Sequence, residues 1–279
     1  MSLGFLDRLV RGTRRTWLSE RHTGALPPDL ADTVMAIESA DRYHAKQGRS
    51  TARVRFDAPG GGLSVYLKRH DQLPWTSRLA ALLHPEGDHS PATTERRHLE
   101  LARSLGIRVP EVVAAGEEIG PWGRLRGFLM VTELVGADEV NLVIPRLAAS
   151  LETAAFARFK REVVIEMAEI AARLHAARSF HKDLYLCHYF LDPSKPAGQR
   201  LTLIDLHRLG RHRWTAWRWR WKDLGQLLYS TEGVAGIDYR DRLRFWKHYR
   251  ARMGLRRPRA EALAIRSKAA RYLAHNRPA

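Results

Sequence analysis

The spacing of apolar positions changes character twice along the chain. Leu6, Leu9, Val10 and Trp17, with Arg8, Arg11, Arg14 and Arg15 between them, have helical spacing and a basic opposite face. Such a helix either packs on the body of the protein with its charged face in water or lies on an anionic membrane surface. From Asp41 the pattern becomes extended. Arg42–Lys46, a turn at Gln47-Gly48-Arg49-Ser50, the alternating Thr51–Phe56, the turn run Asp57–Gly62 and Leu63–Lys68 predict three antiparallel strands. A helix opened by Ser90-Pro91 and closed by Gly106 follows, and then strands at Val112–Ala115 and Phe128–Thr132. Beyond Glu133 the spacing is helical again. Phe156, Phe159, Val163, Met167, Ile170 and Leu174 predict a long buried helix ending near Arg178. A short strand at Leu201–Ile204 ends at Asp205, and helices follow, including Arg240–Met253 and Glu261–Ala274. This order predicts an α+β chain in three parts: an N-terminal basic amphipathic segment over 1–40, a small sheet-rich lobe over 41–136 and a larger helical lobe over 137–279.

Composition narrows the class. With 279 residues, 44% hydrophobic and 28% charged, the chain has ample apolar material for a core and is neither disordered nor collagen-like. No apolar run approaches the roughly 18–20 residues that span a bilayer, and the N-terminus lacks the apolar block of a secretion signal, which predicts a cytoplasmic protein. Cys187 is the only cysteine, so neither an internal disulfide nor a cysteine-rich zinc site is available, and any metal is held by oxygen or histidine. The net charge of +17 is concentrated at one end. Residues 26–206 are balanced at 23 against 23, whereas residues 207–279 hold 19 Lys and Arg against five acids. Such a surface attracts polyanions: nucleic acid, anionic lipid, or a phosphorylated or acidic substrate.

The candidate chemistry lies where elements end. Lys68 closes a strand, Glu95 lies early in the next helix, Asp183 and His188 occupy a loop after the long helix, and Asp205 ends a short strand. This resembles the order of parts in a protein kinase. Phosphoryl transfer is catalysed mainly by positioning and charge neutralisation, which calls for a cation on the nucleotide phosphates, carboxylates for Mg²⁺ and an acceptor for the incoming hydroxyl's proton. Lys68 would supply the cation, Glu95 would orient it, Asp205 would hold Mg²⁺, and Asp183 would deprotonate the acceptor.

The most specific signal is the string His181-Lys182-Asp183-Leu184-Tyr185-Leu186-Cys187-His188-Tyr189-Phe190-Leu191, followed by Leu201-Thr202-Leu203-Ile204-Asp205-Leu206-His207-Arg208. It resembles the lipopolysaccharide kinase (Kdo/WaaP) family, closest to those members that phosphorylate the first inner-core heptose. The resemblance runs over about residues 40–250 and takes in Tyr66-Leu67-Lys68-Arg69-His70, Thr132-Glu133-Leu134 and Lys222-Asp223-Leu224. It implies a bilobal protein-kinase-like fold, ATP and Mg²⁺ as cofactors, and transfer of the γ-phosphate to a sugar hydroxyl of the lipopolysaccharide core at the cytoplasmic face of the inner membrane. It also implies nucleotide contacts from Glu133 and Leu134, a brace under the catalytic loop from Asp223, and His188 where protein kinases carry the Asn metal ligand. Enzymes of the family that act on 3-deoxy-octulosonate carry Asn there, so His188 favours heptose. No Gly-x-Gly-x-x-Gly precedes Lys68, and Gly48, Arg49 and Ser50 are the nearest candidates to cover the phosphates. Cys187, inside the loop, reads as a packing residue.

Residues 211–222 hold four of the eight tryptophans among six cations, counting His212. They suit a membrane interface, where indole and Arg meet head groups, or a nucleic-acid strand, or simply a helix packed by its indoles with solvated arginines. Three functions stand: a lipopolysaccharide-core kinase, a kinase-fold enzyme on another small-molecule or protein hydroxyl, and a non-catalytic basic module for membrane or nucleic acid. Lys68, Asp183 and Asp205 together argue against the last.

Overall fold

The structure, a computed structural model, describes residues 6–7, 10, 12–37, 42–46, 48–57, 62–71, 75–84, 87–120 and 125–275. It divides into two units, Met1–Glu100 with Pro110–Glu133, and Leu101–Val109 with Leu134–Ala279.

In the first unit, strands β1 (Thr13–Leu18), β2 (Arg42–Lys46), β3 (Arg49–Phe56), β4 (Leu63–His70), β5 (Val112–Ile119) and β6 (Leu125–Thr132) form an antiparallel sheet. Their order is β1-β5-β6-β4-β3-β2. The helix expected from Leu6 to Trp17 is a strand in its second half, with Trp17 opposite Ala115 of β5; Leu9, Arg8 and Arg11 lie outside the described residues. Thr13, Thr16 and Trp17 suit a pleated surface better than a helix, and β5 offers them an edge. Strand β3 starts at Arg49, two residues earlier than the alternation suggests, so Arg49 and Ser50 belong to the ladder and Gly48, at φ +73°, makes the turn.

Three short helices belong to this unit in whole or part: α1 (Leu30–Ala36), α2 (Trp75–Leu83) and α3 (Pro91–Ser104). Leu30 and Val34 of α1 pack with Val65, Leu67, Val113, Ala114, Phe128 and Met130, so α1 covers one face of the sheet. Alternation along β4 sends Val65 and Leu67 into that core, and Arg69 follows them on the same side. There Arg69 Nη1 donates to the carbonyls of Val34, Met35 and Ile37, and its Nε donates to Ser50 Oγ. A buried guanidinium thus satisfies the orphan carbonyls that end α1. Lys68, one residue earlier, points to the opposite face. On α3, Ser90 Oγ accepts from the Thr93 amide. Buried Glu117 of β5 accepts from the amides of His89 and Ser90 and the hydroxyl of Thr93, fixing the start of α3 to the sheet.

The second unit is mainly helical: α4 (Val140–Ser150), α5 (Thr153–Ala176), α6 (Ala216–Ser230), α7 (Tyr239–Met253) and α8 (Pro258–His275). Short strands β7 (Asp138–Glu139), β9 (Tyr189–Leu191) and β10 (Leu201–Leu203) form one ribbon, and β8 (Ser179–Phe180) pairs with β11 (Gly210–Arg211). Helix α5 packs on α7, and α6 on α8. Glu152 caps α5, accepting from the amides of Ala154 and Ala155. At Gly225 a Cβ would stand 2.7 Å from Lys268 Cβ, so this glycine lets α6 and α8 approach. The division into a sheet-built and a helix-built unit agrees with the expected α+β class.

Candidate active site

In the first unit Lys68 Nζ donates to Glu95 Oε1 at 2.6 Å, and Glu95 is only 3% exposed. Strand β4 presents the lysine and α3 the carboxylate, the pairing the resemblance implies, although β4 runs two residues past Lys68 to His70 instead of ending at it. Gly48 O accepts from the Asp71 amide at 2.7 Å. The Ser50 hydroxyl is bonded to Arg69, while Arg49 is exposed. Glu133 is held by Arg53 Nη2 at 2.8 Å, and its own amide donates to Ser64 O.

In the second unit the chain leaves α5, pairs briefly as β8 and turns through His181-Lys182-Asp183. Lys182 sits at φ +69°, in the left-handed region that L side chains avoid. The turn is held from inside by Asp223, which is fully buried and accepts the Lys182 amide on Oδ1 and the His181 amide on Oδ2, both at 2.8 Å. The expected brace is therefore present. Behind it, His175 Nε2 faces Asp223 Oδ2 at 3.3 Å and His175 Nδ1 lies 2.7 Å from Tyr249 OH, a buried chain running back to α7. Lys222 Nζ donates to the Lys182 carbonyl. Burial lowers the affinity of both lysines for their protons, with Arg208 adding to the effect on each.

Asp183 faces a cationic wall. Arg208 Nη1 donates to its Oδ2 at 2.7 Å, Lys222 Nζ lies 3.7 Å from its Oδ1, and Gln226 Nε2 lies 3.4 Å from the same oxygen. Arg208 and Lys222 stand in the quoted motifs and Gln226 in none of them, and only the fold brings all three to Asp183. His188 Nδ1 lies 2.6 Å from the backbone oxygen of Asp183 and must donate to it, since a carbonyl cannot. With Nδ1 so engaged, Nε2 faces Asp205 Oδ2 at 3.7 Å. Asp205, at φ +59°, is also held by His207 Nδ1 on Oδ1 at 2.6 Å. His181 is fully buried with Nε2 donating to Ile204 O, and burial holds its ring below the usual histidine range.

Does this donor set fit Mg²⁺? Among the described residues no three His, Cys, Asp or Glu side chains converge on a metal position. Magnesium needs only one or two protein ligands when water and phosphate oxygens complete its shell. The Asp205 carboxylate fits that role, whereas the His188 imidazole beside it is a nitrogen donor, which Mg²⁺ takes less readily than oxygen. Cys187 is half-buried, and burial raises its thiol above the ordinary range, in keeping with a packing residue.

The Trp/Arg stretch divides. Trp219 stacks on His212 at 4.5 Å with Lys182 Nζ 5.0 Å from its ring, and Trp221 Nε1 donates to Glu261, which also holds Arg220. These residues pack. Trp214, 91% exposed, and the exposed Arg211, Arg213 and Arg218 do not, while Trp217, exposed on one side, rests edge-on against Trp221 at 4.6 Å.

The chain is similar to known proteins over most of its length. The model of the lipopolysaccharide kinase (Kdo/WaaP) family matches residues 67–249. The lipopolysaccharide core heptose(I) kinase WaaP of Pseudomonas aeruginosa is 30% identical over 224 residues, covering 79% of each chain. That of Escherichia coli is 36% identical over 200 residues, covering 70% of this chain and 73% of the relative. A solved structure of WaaP in complex with acyl carrier protein superposes with a TM-score of 0.65 at 26% identity, over 92% of this chain and 98% of that one.

Proposed function

The chain belongs to the lipopolysaccharide kinase (Kdo/WaaP) family, and from that membership we propose that it transfers the γ-phosphate of ATP to a heptose hydroxyl of the lipopolysaccharide inner core. The observation that carries the chemistry is the cluster of Asp183, His188 and Asp205 on one braced loop system, with His188 bonded to Asp183 O and 3.7 Å from Asp205.

Each side chain has a task. Lys68, oriented by Glu95, neutralises the nucleotide phosphates, and Gly48 and Arg49 cover them. Ser50 serves the strand instead, through Arg69. Glu133 and Leu134 contact the nucleotide. Asp205, with His188 beside it, would hold Mg²⁺, which would offset charge on the phosphate oxygens. Asp183 takes the proton of the sugar hydroxyl as that oxygen bonds to the γ-phosphorus. The bond from phosphorus to the bridging oxygen breaks, and ADP leaves. Arg208 holds Asp183 in orientation throughout.

The proposal places the enzyme peripherally, on the cytoplasmic face of the inner membrane. Trp214, Arg211 and Arg213 support that placement, and no described helix is long and apolar enough to cross a membrane. It also includes an acyl carrier protein as partner, as in the solved neighbour. An apolar cavity of about 520 Å³ in the second unit, lined by Val163, Met167, Leu186, Leu227, Phe245 and Trp246, supports this by suiting an acyl chain.

The test is transfer of label from γ-labelled ATP with Mg²⁺ to dephosphorylated inner-core lipopolysaccharide, with Asp183→Ala as control. Label on heptose in the wild type alone is expected. Label on 3-deoxy-octulosonate, or none, overturns the proposal.

A further inference from the structure

Helices α6 and α8 leave between them a groove of about 490 Å³, within the roughly 300–1,000 Å³ of small-molecule sites. Its lining is cationic and aromatic: Arg208, Trp217, Arg218, Lys222, Lys268 and Arg271 all contribute, and no carboxylate does. Two of these cations, Arg208 and Lys222, also reach Asp183, so the groove ends at the catalytic carboxylate. The nearby Glu261 is already engaged by Arg220 and Trp221. Among the described residues Arg218, Lys268 and Arg271 have no acidic partner, although five other arginines of residues 207–275 are ion-paired. Cations gathered in a concavity without counter-charge raise the local concentration of anions. Indole beside them offers a flat apolar face to the C–H side of a sugar ring.

We infer that this groove is a subsite for a carboxylated sugar next to the accepting one, its carboxylate held by Arg218, Lys268 and Arg271 and its ring set against Trp217. The inference rests on the proposal that the acceptor is the lipopolysaccharide core, and it deepens that proposal by saying how the acceptor is recognised. Binding of the acidic neighbour delivers the reacting hydroxyl to Asp183, because Arg208 and Lys222 belong to both places. The arrangement also sets specificity. A neutral saccharide would leave three clustered cations uncompensated, whereas a sugar acid satisfies them with charge-assisted hydrogen bonds.

The test uses the full-length enzyme and the triple variant Arg218→Ala, Lys268→Ala, Arg271→Ala. None of the three is bonded to Asp183, and Lys268→Ala keeps the Cβ that lies against Gly225. The expected result is a rise of about 10-fold or more in KM for the lipopolysaccharide acceptor, with KM for ATP and kcat unchanged within about two-fold. Tryptophan fluorescence titration with delipidated core oligosaccharide reads binding apart from transfer. Wild type should bind it, the triple variant should bind more weakly, and wild type should bind the carboxyl-reduced oligosaccharide as weakly as the variant binds the native one. Unchanged acceptor KM in the variant overturns the inference. So does a variant that loses affinity for anionic phospholipid vesicles while keeping affinity for the oligosaccharide, which would assign the groove to lipid. A wild type that binds the oligosaccharide but transfers no phosphate sustains the groove and overturns the kinase reading, so the two failures are distinct.

Discussion

Asp223 Oδ1 accepts the backbone amide of Lys182 at 2.8 Å and so holds a lysine in the left-handed conformation one residue before Asp183. Asp223 itself is fully buried, and its other oxygen accepts the His181 amide. Removing the carboxylate strands both amides and the His175 ring. Asp223→Ala is expected to destabilise the fold by about 3 kcal/mol and to lower kcat. Denaturant unfolding and steady-state kinetics measure the two effects. A variant of wild-type stability and turnover would show that the brace is dispensable.

The Lys68–Glu95 pair predicts a separation of roles. Lys68→Ala is expected to lower kcat/KM for ATP by about 10²–10³-fold, because it removes the cation itself. Glu95→Gln keeps the cation and loses only its orientation, so its loss is smaller. If the two substitutions have equal effects in a phosphotransfer assay, Glu95 does more than orient.

The Asp205–His188 pair predicts metal dependence. Asp205→Asn is expected to raise the Mg²⁺ concentration for half-maximal turnover by about 10–100-fold or more. Titration of Mg²⁺ at saturating ATP reads this directly. An unchanged midpoint would remove Asp205 from the metal.

Glu152 predicts an acid-sensitive helix start. The amide of Ala154, and after it that of Ala155, hold its carboxyl below the ordinary carboxylate range. A group whose folded value is depressed contributes stability above its unfolded value and loses it as pH falls through the folded one. Glu152→Ala should therefore lower Tm at neutral pH, and the difference from wild type should shrink as pH falls below about 4.5, the ordinary value. A difference that persists unchanged into acid would mean that the cap is not ionic.

The exposed end of the Trp/Arg stretch predicts surface binding. Replacing Trp214 by Ala, and Arg211 and Arg213 by Gln, should weaken binding to anionic vesicles by about 30-fold at low salt, at about 1 kcal/mol per cation. Arg220 is not part of this surface, since it is tied to Glu261. Vesicle co-sedimentation decides the matter, and equal binding by the variant would confine these residues to the protein's own packing.

Much of this was legible in sequence because short-range pattern set it. Alternation around Lys68, the Ser90-Pro91 start of α3 and the string from His181 to Arg208 each describe a local structure with a local cause. What sequence missed depends on distant partners. Thr13–Leu18 became a strand only because β5 has an edge to pair with it. Helix α1 is seven residues long, too short for periodicity to mark, and its end is completed by Arg69 from another element. The Trp/Arg stretch looked uniform until Glu261, forty residues on, claimed Arg220 and Trp221 and left Trp214 and Arg213 outside.

Arg69 gives strand β4 a built-in check on its alignment. Adjacent residues of a strand face opposite ways, so a slip by one position would exchange Arg69 and Lys68. The guanidinium would then lose three carbonyls, and the ammonium would be left facing Leu30 and Val34 without them. The wrong register is penalised by the helix end it fails to close. A chemically demanding lysine is in this way kept in place by the structural work of its neighbour. Changes at position 69 should therefore act on activity through misalignment, even though that side chain lies on the face of β4 opposite to Lys68.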